Sequence, residues 1–123
     1  MKLLSKIHVP IYDVIVYLSN DAKLASRKIQ KLTPGVDLKD DLPQYDVAGF
    51  SAELQNNNSE VIAYLIVCQE DETNTVTHES LHCAMDILHS AGIEYNYHNQ
   101  ESLAYLAGYL SKQWWLYIGA HIK

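Results

Sequence analysis

Residues 73–92 read TNTVTHESLHCAMDILHSAG, and their interpretation decides the architecture. Several residues between 73 and 77 can cap a helix, while Gly92 followed by Ile93 suits a helix that closes on a left-handed residue with a hydrophobic follow-on contact. Met85 and Leu88 fall where such a helix packs into a core. A second helix is expected directly after it. Asn99 stands at its cap, Glu101 in the first turn where the macrodipole favours an acid, and Leu103, Leu106, Ala107, Leu110 and Trp114 form its apolar stripe.

Upstream, residues 47–54 and 60–69 flank the polar stretch QNNNS, which predicts an antiparallel hairpin with a five-residue loop. The second of these runs, EVIAYLIVCQ, is almost continuously apolar and belongs inside a sheet; the first has the character of an edge. Residues 9–19, VPIYDVIVYLS, read as one further strand rich in β-branched and aromatic residues. Ser19 or Asn20 then caps a helix carrying Leu24, Ala25, Ile29 and Leu32 on its apolar face, which Thr33-Pro34-Gly35 ends, and residues 36–46 form a connection. The expected fold is α+β: one domain over residues 1–123, with a small, mostly antiparallel sheet of about three strands packed against an N-terminal helix and the two later helices.

Nine Lys and Arg against fifteen Asp and Glu give a net charge of −6, which opposes binding to nucleic acid or to an anionic membrane face. No run approaches the roughly 18 apolar residues of a membrane span. His8, Pro10 and Asp13 interrupt the apolar stretch after Lys2 and Lys6, so no signal peptide is read. Cys68 and Cys83 are too few for a disulfide framework, and a reducing cytoplasm is expected. The run Trp114-Trp115-Leu116-Tyr117-Ile118 is apolar on more than one face, as a packed C-terminal anchor or as a surface for a protein partner or a second copy.

Within the helix at residues 73–92 lies His78-Glu79-Ser80-Leu81-His82, the pattern H-E-x-x-H. One turn separates the histidines, so both imidazoles project from one face and can hold a single divalent ion. Glu79 sits about 100° round the helix, beside a bound water rather than on the metal. This division suits zinc-assisted hydrolysis with Glu79 as general base. A third ligand is required, and His89, Glu94, His98 and Glu101 are the candidates. His89 shares the histidine face but lies about 10 Å further along the axis. Met85 occupies the position that is Gly in H-E-x-x-H-x-x-G-x-x-H. Glu101 leads because it opens the next helix, which can pack antiparallel to the first. Asp86 lies along the Glu79 edge and can orient a ligand. Tyr105 shares a face with Glu101, Gly108 and Lys112 and can donate to an oxyanion, in competition with Tyr97, His98 and Tyr109.

His78-Glu79-x-x-His82, eighteen intervening residues and then Glu101 resembles the gluzincin branch of zinc metallopeptidases over about residues 47–118, and the chain is similar to compact zincin-like proteins encoded by some bacteriophages. The resemblance implies a zincin-like fold, zinc at His78, His82 and Glu101, Glu79 as general base, and a peptide or protein substrate. Asp86 matches the offset of an Asp in thermolysin-like members. An edge strand beside the metal helix can hold an extended substrate by strand addition. The alternative function is a non-catalytic zincin-scaffold binding or inhibitor protein, a phage factor acting on a host protein in the host cytoplasm, with a structural or vestigial metal.

Overall fold

The two most apolar runs of the chain lie side by side at the centre of a four-stranded mixed sheet. They are β2 (Val14–Ser19) and β4 (Val61–Cys68), joined in parallel with Val16 opposite Tyr64 and Ser19 opposite Val67. The computed structural model describes residues 1–36, 38, 47–70 and 72–122. β1 (Leu4–Val9) pairs antiparallel with β2, and β3 (Gly49–Gln55) pairs antiparallel with β4, which gives the order β1-β2-β4-β3. The expected hairpin therefore forms, with β3 as an edge and β4 inside. The connection expected over residues 36–46 lies, apart from residues 36 and 38, outside the described residues.

The single strand expected over residues 9–19 is instead two strands and a turn. Pro10 has no N–H for a ladder, and Asp13 adopts a left-handed φ of 52°. His8 Nε2 and Asp13 Oδ1 close the turn at 2.6 Å. The fourth strand carries a weak sequence signal because Ser5, Lys6 and His8 dilute its apolar content, although Ile7 and Val9 are buried in the core. Asn20 ties down its start, accepting from Leu3 N at 2.7 Å and donating to Met1 O at 2.7 Å.

Side chains alternate across the sheet and build two cores. On one face Tyr17, Phe50, Leu54, Ala63, Leu65 and Val67 meet Ala22, Ala25 and Ile29 of α1 (Ala22–Leu32). On the other, Val16, Leu18, Ile66 and Cys68 meet the antiparallel pair α2 (Thr73–Ser90) and α3 (Gln100–Tyr117). Each fully buried large side chain contributes about 1.5–3 kcal/mol by leaving water.

The local signals mostly hold, with corrections that have clear causes. Asp21, not Ser19 or Asn20, caps α1, its carboxylate accepting from Leu24 N at 2.8 Å, because Ser19 Oγ and the Asn20 amide are engaged with the N-terminal segment. Leu32 ends α1 and is exposed rather than part of its core stripe. α2 closes as expected: Gly92 has φ 76°, Gly92 N donates to His89 O and Ile93 N to Leu88 O. Asn99 occupies the cap position of α3, but its side chain closes the preceding loop by accepting from Asn96 N and donating to Glu94 O. Trp114 is fully buried, with its indole N–H donating to Ser19 O, so it is a core residue and not a surface for a partner. Trp115 is half-buried and packs under the 3-10 turn Gly119–His121; a Cβ on Gly119 would collide with its ring. Among the described residues no helix is long and apolar enough to cross a membrane.

Candidate metal centre

α2 is seated by Val76, Cys83, Ala84, Ile87 and Leu88, all buried in the core it shares with the sheet and α3. That seating fixes the helical phase of everything else on it. His78 and His82 point to solvent, while Glu79, one residue on from His78, turns inward and is only 6% exposed. The two ring nitrogens His78 Nε2 and His82 Nε2 stand 3.2 Å apart, and Glu79 Oε1 lies 4.0 Å from His78 Nε2. One donor atom from each of the three residues falls within 4.8 Å of the others.

Two imidazole lone pairs at this distance repel unless a proton or a cation lies between them. Zn–N bonds of about 2.0–2.1 Å reproduce a 3.2 Å nitrogen separation at an N–Zn–N angle of about 100–106°, close to tetrahedral. The donor set therefore fits a borderline divalent ion.

The inward turn of Glu79 depends on β3. A Cβ at Gly49 would lie 2.7 Å from Val67 O, 2.8 Å from Thr75 Cγ2 and 3.2 Å from Glu79 Cγ. Only glycine lets the start of β3 close over this part of α2. Together Ala48, Gly49, Asn74, Thr75, His78 and Glu79 line a cleft of about 320 Å³ that opens beside the histidines. Gly49 was not singled out from the sequence. Its signal was an isolated glycine at the start of a strand pattern, which marks close approach of another segment.

The other residues expected at the site are not gathered there. Thr77 and Leu81 of α2 share a groove with Ala104, Gly108 and Lys112 of α3, so the antiparallel pair sets the histidine turn beside the middle and end of α3. Glu101 lies seven residues, about 10 Å, before Gly108 along the axis, exposed and level with the far end of α2. It is outside the group formed by His78, Glu79 and His82. The same antiparallel packing that was expected to bring its turn to the metal carries it away. Tyr105 is 75% exposed and lines a different cavity with residues 9–12, at the β1–β2 turn. Glu94 and His98 are exposed in the loop after α2, where His98 stacks edge-on with Tyr97.

Asp86 is half-buried on the β3 side. Burial raises its carboxyl above the ordinary value, while the nearby His82 and His89 pull it down. Glu53 on β3 is raised by burial first and then by the charge of Asp86, with His89 and a hydrogen bond to Ser90 opposing. Burial also pushes the Cys68 thiol up to about 12, with the Glu79 charge adding to the effect. Cys83 is raised by burial as well, so neither cysteine offers a thiolate near neutral pH. Comparison with family models, with curated proteins and with solved structures returns no match for this chain.

Proposed function

We propose that this chain is a metal-dependent hydrolase, with zinc held by His78 and His82 and with Glu79 as general base toward a peptide bond. The observation that carries this reading is the 3.2 Å approach of the two imidazole nitrogens beside a buried carboxylate. Zinc, when bound, supplies Lewis acidity and lowers the pKa of a coordinated water. Glu79 Oε1 accepts the proton of a water standing at the mouth of the cleft, and later returns it to the leaving amine. Gly49 and Thr75 line the same cleft as Glu79, whose side chain is almost wholly buried there. The edge position of β3 along this cleft supports an extended peptide as substrate. The order of edge strand, central strand, motif helix and following helix supports a zincin-like reading; the remote position of Glu101 argues against a gluzincin ligand set.

The test is Glu79→Gln, with zinc content measured alongside turnover of a casein or peptide-library digest. Zinc is expected to be retained while hydrolysis falls at least about 100-fold, the contribution typical of a general base. Undiminished hydrolysis would sink the mechanism.

A second reading is favoured by one observation: among the described residues no third His, Cys, Asp or Glu outside the motif joins the pair. In that reading the scaffold is a binding or inhibitor protein whose ion organises a surface. Zinc binding without hydrolysis in the wild-type chain supports it.

A further inference from the structure

His78 and His82 present two outward donors where an imidazole-bound zinc takes four ligands. The His78 side chain is 67% exposed, while Glu79 faces inward at 8%. The outer half of the shell therefore opens to solvent. Around it the surface has an unusual charge pattern. In a chain of net charge −6, the solvent face of this part of α2 carries Asn74, Thr77 and Leu81 between and beside the histidines, and no carboxylate. The two acids of α2 are the less exposed ones: Glu79 is under Gly49, and Asp86, half-buried one turn beyond His82, lies near enough for that imidazole to lower its pKa and repels Glu53 of β3.

Next to this face, between α2 and α3, runs a groove of about 470 Å³ whose α3 wall combines the small residues Ala104, Gly108 and Ser111 with Lys112 and Trp115 at one end. A Cβ at Gly108 would meet nothing within 4 Å, so the wall is open to an approaching side chain. Leu81, 40% exposed, stands beside the groove.

We infer that a second copy of the chain completes the site. Two chains meet with their α2 faces about a two-fold axis, and His78 and His82 of each supply the four nitrogens around one shared zinc ion. This rests on the metal reading above and deepens it. The same surface, turned on itself, is the partner that brings two imidazoles at the required spacing, because a two-fold interface is self-complementary. Two acidic chains approach at lower electrostatic cost through a face whose exposed positions from Asn74 to His82 carry no carboxylate, and a divalent cation between them offsets the remaining repulsion. Leu81 of each copy seats in the small-residue groove of the other. Four imidazoles leave no coordination position for water, so the paired form is a resting state and the single chain is the hydrolytic one.

The test is titration of zinc chloride into the full chain, followed by calorimetry and by light scattering after size exclusion. Saturation at half an equivalent per chain is expected, with the mass doubling from 14.0 kDa. His82→Ala is expected to abolish the doubling. Gly108→Glu, which places a charged side chain in the groove without touching the ligands, is expected to bind zinc as a single chain. Wild-type saturation at one equivalent without a mass change overturns the pairing and leaves the metal reading standing. No zinc binding by a chain shown folded by circular dichroism overturns both. A doubled mass that persists with a chelator, or in Gly108→Glu, overturns the shared-ion interface.

Discussion

Gly49 and Glu79 face each other across the β3–α2 junction so closely that a Cβ at Gly49 would stand 3.2 Å from Glu79 Cγ. Replacing Gly49 with Ala would force a methyl group to within 2.7 Å of Val67 O and 2.8 Å of Thr75 Cγ2. Neither neighbour can give cheaply, since one is backbone in the sheet and the other is near the start of α2. Gly49→Ala is expected to lower stability by about 1–3 kcal/mol, the usual cost of overpacking, read as a shift of the urea midpoint. If Glu79 is the general base proposed above, hydrolysis should fall further than the lost stability accounts for, because Glu79 moves with the junction. Glu53 supplies a contrasting test. Its pKa is raised on folding, so the native state holds the proton longer than the unfolded chain. Stability is therefore greatest on the acid side of that window and falls as pH rises from the ordinary 4.5 through the folded value. Glu53→Gln is expected to raise the urea midpoint at pH about 7 relative to the wild type and to flatten its decline between pH about 4 and 7.

At the scale of elements, α2 carries its own start, end and chemistry. Its closing bonds from Gly92 and Ile93 are local, and they were legible because the chemistry of a left-handed glycine is local. Gly92→Ala is expected to cost about 1 kcal/mol in thermal or urea unfolding while leaving zinc affinity unchanged, since the change strains only the helix end some ten residues from His82. The histidine pair and Glu79 were legible for the same reason: separation by one turn places two side chains on one face whatever the rest of the chain does. The role of α3 was not legible. Its stripe of Leu106, Leu110 and Trp114 was read correctly, but which turn of α3 faces His82 follows from the direction and register of the helix pair. Tyr105 was lost for the same reason, its turn lying against the β1–β2 segment instead.

Across the whole molecule, the sheet separates two cores, and Trp114 ties the larger one to β2 through Ser19 O. Trp114→Ala should therefore lower stability by about 3–5 kcal/mol and loosen α3 and β2 together. Hydrogen exchange would show this as lost protection at both elements rather than in α3 alone. The α+β class, the β3–β4 hairpin, the ends of α2 and the H-E-x-x-H face were present in the sequence, because each depends on periodicities or turns spanning a few residues. The fourth strand, the glycine over Glu79 and the separation of Glu101 from the histidines were decided only in the tertiary structure. Each depends on which distant segment closes against which, and that choice is made by packing two cores on opposite faces of one sheet, not by the order of residues within any one element.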